Sequence, residues 1–223
     1  MTRRLMFFID FDGTISRDDI CTHMLDNFGG DDWREFNRQW EKGDLTTEEC
    51  ARLVLSKLQV NPAELEKWFD QARIDETFLD FVSWAMKHEY PLYILSDGYD
   101  NYIGRLLGRY GLSIPFFANH LTYRQGWEIT CLNYDGECRR HGVCKTRLME
   151  SLLDQDYCSI YIGDGYSDIC PAEKADRVFA KDDLARLCGE RGITYHFFAC
   201  FADIIAELTR ITDEKSVGES GRD

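Results

Sequence analysis

Positive charge is scarce in this sequence. The 223 residues include 26 Lys and Arg against 40 Asp and Glu, which gives a formal net charge of −14 and a pI of about 4.8. A chain this acidic is not expected to have nucleic acid or an anionic membrane as its primary partner. Its overall field also repels phosphorylated compounds, so a phosphate site would need a bound cation, a lysine and backbone N–H groups.

Long apolar runs are missing as well. The first apolar run covers only residues 5–9, which is too short for the apolar part of a signal peptide or for a membrane span. Internal repeats and low-complexity linkers are also absent from the sequence. The nine cysteines are an odd number. We therefore predict a reduced, cytoplasmic protein, a monomer or a homodimer, in which the cysteines serve as small hydrophobic residues.

Apolar runs that end in acidic or glycine-containing turns organise the chain. Three of them are apolar on both faces and predict buried strands, at residues 5–9, 92–95 and 159–162. Weaker strand patterns follow at 178–180 and 195–198. Apolar residues with helical spacing lie between the strands. This alternation predicts an α/β fold, with a Rossmann-like parallel sheet as its core.

One segment interrupts the alternation. Residues 17–75 show no convincing strand, but they contain two helix starts, a capping box at Thr46 and Glu49 and a second start at Asn61. A stretch rich in aromatic residues, glycine and cysteine, at 115–142, could form a hairpin. The predicted organisation is a core domain at 1–16 and 76–211, a small helical cap domain at 17–75 and a disordered tail at 212–223.

Polar residues follow the three strongest predicted strands. Asp10 and Asp12 come after the first strand, Ser96 after the second and Asp164 after the third. In an open parallel sheet ligands bind outside the carboxyl ends of the strands, so these turns should meet in one crevice. Carboxylates in one crevice repel each other unless a cation or a proton lies between them. Mg²⁺ would relieve that repulsion, and Lys145 would balance the charge of a phosphoryl group.

Four motifs resemble those of the haloacid dehalogenase (HAD) superfamily and occur in the usual order. They are Asp10-Phe11-Asp12-Gly13-Thr14, then Ser96, then Lys145, then Gly163-Asp164-Gly165-Tyr166-Ser167-Asp168. The helical insertion after the first motif resembles the C1-type cap of the phosphoserine phosphatase-like branch, subfamily IB. Within that branch the chain is most similar to the methionine-salvage enzymes that dephosphorylate a methylthio-pentenyl phosphate.

The resemblance implies a role for each motif residue. Asp10 would be the nucleophile that forms an aspartyl-phosphate, and Asp12 would act as general acid and then as general base. The presence of this second aspartate favours phosphate ester hydrolysis over dehalogenation. The implied magnesium ligands are Asp10, Asp164 and the backbone carbonyl of Asp12. The implied phosphate-binding residues are Ser96, Asp97 and Lys145, and the implied supporting residues are Asp168, Gly98 and Gly165.

Departures from the phosphoserine phosphatase pattern bear on the substrate. Those enzymes hold the substrate ammonium with an acidic residue early in the cap, where this sequence has Asp18 and Asp19. They hold the carboxylate with a cap arginine, and the nearest candidate, Arg52, lies two residues away from the matching position, Val54. Asp97 also stands where they have glycine. We therefore rank phosphoserine, or an amino-alcohol phosphate, below another small phosphomonoester.

Two further readings of the motifs stay open. A catalytically idle protein could bind a phosphorylated metabolite as a sensor, although such a protein would not need the second carboxylate, Asp12. A phosphotransferase or phosphomutase would replace water by an alcohol as the acceptor, and sequence does not separate it from a hydrolase.

A group of four soft ligands precedes Lys145. Cys131, Cys138, His141 and Cys144 could hold a structural Zn²⁺ that fixes the loop before this lysine. The spacing contains no paired CxxC, so we prefer free thiols at these positions.

Overall fold

The computed structural model describes residues 3–138 and 140–219, with side chains described as far as residue 211. The strands are β1 (Arg4–Ile9), β2 (Leu92–Tyr99), β3 (Phe116–Tyr123), β4 (Trp127–Thr130), β5 (Tyr157–Gly163), β6 (Arg177–Ala180) and β7 (His196–Phe197). The helices are α1 (Ile20–Phe28), α2 (Trp33–Lys42), α3 (Thr47–Leu55), α4 (Pro62–Phe69), α5 (Glu76–Lys87), α6 (Asp100–Arg109), α7 (Lys145–Leu152), α8 (Ile169–Ala172), α9 (Asp182–Arg191) and α10 (Phe201–Glu219).

The strands form one seven-stranded sheet in the order β4-β3-β2-β1-β5-β6-β7. Every neighbouring pair is parallel except β3 and β4, which form an antiparallel hairpin inside the stretch 115–142. The predicted α/β fold with a parallel core is therefore confirmed. The strand predicted at 92–95 continues to Tyr99. Its pairing with β3 has an irregularity between Leu95 and Tyr99, after which the two strands pair again. The second motif consequently lies within β2.

The central strand, β1, is buried on both faces. Phe7 and Ile9 belong to one apolar cluster, with side chains from α5, α6, α10 and the segment 17–75. Met6 and Phe8 belong to a second cluster, with side chains from α7, α8 and α9. Alternate residues of a strand point to opposite faces of a sheet, so a continuous apolar run is what a strand between two helical layers requires.

Residues 17–75, which we call the cap segment, form α1 to α4. The predicted capping box of Thr46 and Glu49 is present at the start of α3. The second predicted helix start, at Asn61, begins α4, where Asn61 and Glu64 also form a capping box. The ends of the segment lie side by side, because Ser16 and Ile74 form a β-bridge. The division of the chain into a core and a cap domain stays a prediction.

Several polar contacts join the cap segment to the rest of the molecule. Arg105 in α6 forms a two-pronged ion pair with Asp70, with N–O distances of 2.6 and 2.9 Å. The indole N–H of Trp127 in the hairpin donates to the carbonyl oxygen of Val60 at 2.9 Å. The cap segment is thus fixed both to a core helix and to the hairpin.

The last helix differs from the sequence expectation. The polar composition predicted a disordered tail from residue 212, whereas α10 continues to Glu219. Once its buried first part, Phe201 to Leu208, has formed, each further residue adds a backbone hydrogen bond without a new nucleation cost. Residues 220–223 lie outside the described residues. Among the helices that the structure describes, none is long and apolar enough to cross a membrane.

Candidate active site

A buried lysine lies next to the carboxylates at the carboxyl edge of the sheet. Lys145 is the first residue of α7 and is 2% exposed. Its ammonium donates to Asp10 Oδ1 at 2.5 Å, to Asp168 Oδ1 at 2.6 Å and to Ser167 Oγ at 2.8 Å. Burial alone would lower the pKa of the ammonium, but the two carboxylates outweigh it and raise the pKa.

Asp168 fixes both this lysine and the turn after β5. The hydroxyl of Tyr161 donates to Asp168 Oδ1 at 2.6 Å. The backbone N–H groups of Asp164 and Gly165 donate to the other oxygen, Oδ2, at 3.1 and 2.9 Å. All these bonds are made within the protein, so Asp168 serves the site by holding Lys145 and the turn in place.

Three carboxylates gather beside Lys145. Ligand oxygens of Asp10, Asp164 and Asp168 all lie within 4.8 Å of one another. Among the described residues, these three carboxylates form the group that could hold a metal ion. Burial, followed by the charge of Asp168, raises the pKa of Asp10 to about 7, although Lys145 acts in the opposite direction. Burial, followed by the charges of Asp10 and Asp168, raises the pKa of Asp164 to about 9.

These residues fit a hard divalent cation. One ammonium cannot neutralise the carboxylates around it, so their mutual repulsion adds to burial in raising the pKa values of Asp10 and Asp164. Carboxylate and carbonyl oxygens are the ligands that such cations prefer. The hydroxyl of Thr14 donates to Asp164 Oδ1 at 2.6 Å and orients that carboxylate. Gly13, at φ +76°, leaves Asp164 the space that a Cβ atom would occupy.

Asp12 faces away from Lys145. Its Oδ1 accepts the backbone N–H of Ile20, the first residue of α1, at 3.1 Å. Its Oδ2 accepts the hydroxyl of Tyr102 at 2.5 Å and lies 3.4 Å from Ser96 Oγ. Burial, followed by the charge of Asp19, raises the pKa of Asp12 well above its ordinary value. This carboxyl group is therefore suited to carry a proton at neutral pH.

Ser96 and Asp97 have different surroundings. Ser96 is fully buried, and its Oγ accepts the N–H of Gly98 at 3.0 Å. The Asp97 carboxylate accepts the hydroxyl of Thr47 at 2.8 Å, the amide of Asn119 at 3.1 Å and the N–H of Val143 at 3.1 Å. Because these donors use its oxygens, the expected role of the Asp97 side chain in phosphate binding does not fit the structure.

His141 completes the surroundings of Asp97. Its Nδ1 lies 3.4 Å from Asp97 Oδ2. Burial lowers the pKa of the imidazole, but Asp97 and Cys170 outweigh this and raise the pKa to about 9. Burial alone would raise the pKa of Asp97, but His141 and Thr47 hold it below its ordinary value. Asp97 thus lies in a charge-balanced contact between the core and Thr47 of the cap segment.

A cavity of about 360 Å³ opens beside these groups. On the catalytic side its walls include Asp10, Asp12, Ser96 and Asp164. The apolar part of its cap side is lined by Cys21, Leu25, Trp33, Trp40, Cys50, Ala51 and Val54. Four further acidic residues also line it, namely Asp19, Glu41, Asp182 and Asp183. Among the lining residues that the structure describes, none is a lysine or an arginine.

The cap residues predicted to contact substrate do not all reach this cavity. Asp19 lines it, and the same carboxylate caps α1 by accepting the N–H of Thr22 at 2.8 Å. Asp18 lies beside a separate, smaller pocket. Arg52 is 72% exposed and pairs with Glu48 on the same helix. Its position on α3 turns Arg52 toward solvent, and its expected contact with a substrate carboxylate stays a prediction.

The cysteine-rich loop does not gather its four predicted zinc ligands. Cys138 is exposed, and Cys144 Sγ lies 3.8 Å from an oxygen of Asp135. His141 faces Asp97 and Cys170 instead. Cys131, Cys138, His141 and Cys144 do not form a metal-binding group within the described residues.

Sequence reasoning missed Tyr102 and Tyr161. Tyr102 has the helical spacing of the apolar residues that follow the second predicted strand, and Tyr161 lies within the predicted strand at 159–162. Both assignments describe their rings correctly, since the two side chains are almost completely buried. A buried tyrosine requires a hydrogen-bond partner, which is the signal that could have pointed to nearby carboxylates.

Comparisons with known proteins agree with this geometry. The family profile described as haloacid dehalogenase-like hydrolase matches residues 7–173. The 2-hydroxy-3-keto-5-methylthiopentenyl-1-phosphate phosphatase of Geobacillus kaustophilus (strain HTA426) is 32% identical over 221 residues, covering 95% of this chain and 98% of the relative. The enzyme of the same name from Bacillus cereus (strain B4264) is 28% identical, covering 95% and 99%.

Solved structures of similar fold include phosphoserine phosphatases. A phospho-aspartyl intermediate analogue of phosphoserine phosphatase has a TM-score of 0.68 at 20% identity and covers 92% of this chain and 99% of that one. A probable phosphoserine phosphatase from Vibrio cholerae has a TM-score of 0.70 at 18% identity and covers 93% and 65%. At such identities the likeness concerns the fold.

Proposed function

We propose that this chain, which belongs to the haloacid dehalogenase-like hydrolase family, hydrolyses a small, largely apolar phosphomonoester through a phosphoryl group carried on Asp10. The observation that supports this mechanism best is the contact of Lys145 with Asp10 and Asp168, in a crevice where carboxylates outnumber the cation. Phosphoryl transfer needs positioned positive charge more than covalent chemistry from the protein. The crevice supplies a nucleophile, a lysine and a metal-binding group together.

The chain's own groups account for both halves of the reaction. In the first half, an Asp10 oxygen bonds to phosphorus, the bond from phosphorus to the leaving oxygen breaks, and Asp12 gives that oxygen its proton. In the second half, water bonds to phosphorus, Asp12 takes the proton of the water, and the bond to Asp10 breaks. Lys145 offsets the negative charge of the phosphoryl group in both halves.

Magnesium is the cofactor that we propose. Asp10, Asp164 and the backbone carbonyl of Asp12 would hold it, with Asp168 close by. When bound, Mg²⁺ supplies the positive charge that lets a phosphate approach these carboxylates. The hydroxyl of Ser96 would bind a phosphate oxygen, whereas the N–H groups of Gly98 and Gly165 are already bonded to Ser96 and Asp168.

The cavity favours a substrate without a carboxylate. Its cap side offers apolar and thiol groups, and none of the described lining residues is a cation that could pair with a carboxylate. A methylthio-substituted chain fits such a lining, because sulfur and methyl groups gain from contact with apolar and aromatic surfaces. Together with the names of the relatives, this supports 2-hydroxy-3-keto-5-methylthiopentenyl-1-phosphate as the substrate.

An amino-alcohol phosphate is the second candidate. Asp19 and Glu41 line the cavity and could hold a substrate ammonium. Phosphoserine fits less well, because Arg52 lies outside the cavity. Further parts of the proposal are a cytoplasmic location, a monomeric or homodimeric state, and no nucleic acid or membrane partner.

The test is phosphate release from a panel of esters, with and without Mg²⁺. The panel contains the methylthiopentenyl phosphate, phosphoserine, phosphoethanolamine, phosphocholine, a sugar phosphate and p-nitrophenyl phosphate. We expect magnesium-dependent release that is fastest for the first compound and lost in Asp10→Asn. A preference for phosphoethanolamine would establish the second candidate. Binding without release, in folded protein with Mg²⁺, would contradict hydrolysis and favour a sensor.

A further inference from the structure

A buried tyrosine lies directly behind the proposed acid. Tyr102, in α6, is 1% exposed, and its hydroxyl donates to Asp12 Oδ2 at 2.5 Å. Tyr102 does not line the cavity, whereas Asp12 does. Its hydroxyl therefore acts on Asp12 from the side opposite to a bound substrate.

The tyrosine ring is held from several directions. It packs against Phe11 of the first motif, against Phe69 of the cap segment and against Tyr99 of β2, with ring centroids 6.2, 5.2 and 6.2 Å away. Gly98 leaves the space for the hydroxyl, because a Cβ atom there would overlap both the Tyr102 oxygen and Asp12 Oδ2. The hydroxyl has little freedom to leave Asp12.

The hydrogen bonds of Asp12 leave one position open. A carboxylate has roughly four lone-pair sites, two on each oxygen. Tyr102 and the more distant Ser96 hydroxyl face the two sites of Oδ2. The N–H of Ile20 occupies one site of Oδ1. No donor from the described residues occupies the remaining site, on Oδ1, which leaves it to a substrate in the cavity.

We propose that Tyr102 is a positioning residue for the reaction: its hydroxyl holds Oδ2 of Asp12, so that Oδ1 exchanges the proton with the leaving oxygen. This inference rests on the proposed function. In the first half of the reaction the bond between phosphorus and the leaving oxygen breaks, and the proton on Oδ1 moves to that oxygen. In the second half Oδ1 receives a proton from the attacking water.

The leaving group of the substrate gives a specific test. An alkoxide needs a proton as it leaves, whereas p-nitrophenolate leaves as a stable anion. The value of kcat/KM reports the steps up to the first irreversible one, here transfer of the phosphoryl group to Asp10. For Tyr102→Phe we expect kcat/KM to fall about 10- to 100-fold with the best alkyl phosphate of the panel and less than about threefold with p-nitrophenyl phosphate. We expect KM to stay within about twofold, because Tyr102 does not line the cavity.

Tyr161→Phe is the matched control. It removes the same kind of bond, from a buried tyrosine to a carboxylate, but the carboxylate is Asp168, which serves both esters through Lys145. It should lower kcat/KM equally for both. In an Asp12→Asn background, Tyr102→Phe should change kcat/KM less than about twofold.

The outcomes separate the two proposals. An equal loss with both esters in Tyr102→Phe, or no loss with either, contradicts the role of Tyr102 while the wild-type enzyme remains active. If the wild-type protein hydrolyses neither ester, the proposed function is contradicted. The role of Tyr102, which rests on that function, is then contradicted as well. A loss that is confined to the alkyl ester in Tyr102→Phe, with an equal loss for both esters in Tyr161→Phe, supports the proposal.

Discussion

Two groups of buried charges lie on the two sides of the same crevice and differ in how their charge is balanced. The phosphoryl site gathers Asp10, Asp164 and Asp168 around one cation, Lys145. The second group, the Asp97 site, sets one carboxylate, Asp97, against one imidazole, His141. Both are well removed from water, so their different surroundings determine their different properties.

The pKa values follow from that difference. The pKa of Asp10 and that of Asp164 are raised, because burial and neighbouring carboxylates both disfavour the charged form. The pKa of Asp97 is lowered, although it is buried as well, because donors surround it. A buried carboxylate with all its donors in the protein acts as a structural contact, whereas a surplus of buried carboxylates marks the place for a cation and a phosphoryl group.

Replacement of Lys145 should have the largest effect on the difference between the phosphoryl site and the Asp97 site. In Lys145→Met the phosphoryl site loses its cation, so we expect kcat/KM to fall at least about 1,000-fold. The free energy of unfolding should fall by about 3–5 kcal/mol, because buried charges lose their partner. Phosphate release and urea unfolding measure the two effects. Lys174→Met, at an exposed lysine, is the control and should change neither quantity. A fully active Lys145→Met would contradict the assigned role.

Added Mg²⁺ should distinguish the two groups. At 100 times its dissociation constant, Mg²⁺ should raise the free energy of unfolding of the wild type by about 2.7 kcal/mol, because it binds only the folded state. Asp164→Asn should lose most of this gain. Asp97→Asn should keep it, even if its own stability is lower. Thermal unfolding with Mg²⁺ and with a chelator measures the difference, and an equal gain in all three proteins would show that the ion binds elsewhere.

The Asp97 site should give stability its own dependence on pH. The folded pKa of His141, about 9, exceeds its ordinary value of 6.5. The stabilisation from this pair is therefore complete below pH 6.5 and is lost as the pH rises through 9. We expect a loss on the order of 1–3 kcal/mol across this range. Urea unfolding of the wild type and of His141→Gln should diverge at low pH and converge at high pH. Parallel curves would mean that the imidazole stays neutral.

Replacement of Arg52 should have the smallest effect. Arg52 pairs with Glu48 at the surface, so Arg52→Ala should change the free energy of unfolding by less than about 0.5 kcal/mol. KM should also change less than about twofold, because the guanidinium lies outside the cavity. Val54→Ala, on the cavity side of the same helix, is the comparison and should raise KM several-fold. A large rise in KM for Arg52→Ala would return phosphoserine to consideration.

The strands and their acidic turns could be predicted from sequence, because a strand buried on both faces leaves a short run of apolar residues. The convergence of Asp10, Ser96 and Asp164 follows from the geometry of parallel sheets, and the structure brings these turns to one crevice. Capping boxes are local patterns as well, which is why the starts of two cap helices were found.

The rest depends on contacts between residues far apart in sequence. Asp97 receives donors from Thr47, Asn119 and Val143, which no local pattern connects. Arg52 was proposed because it lies near the position of the cap arginine of phosphoserine phosphatases. Its helical spacing from the buried Ala51 and Val54 places it on the opposite face of α3. The apolar spacing of α6 indicates that Tyr102 is buried, but it does not indicate that its hydroxyl bonds to Asp12.

Trapping the phosphoryl group tests the central claim most directly. The protein is mixed with Mg²⁺ and p-nitrophenyl [³²P]phosphate, quenched in acid during turnover and digested, and the labelled peptide is sequenced by mass spectrometry. The account predicts label on Asp10, more of it in Asp12→Asn, where water is activated slowly, and none in Asp10→Asn. Label on another residue, or rapid turnover with no trapped label in the wild type or in Asp12→Asn, would contradict it.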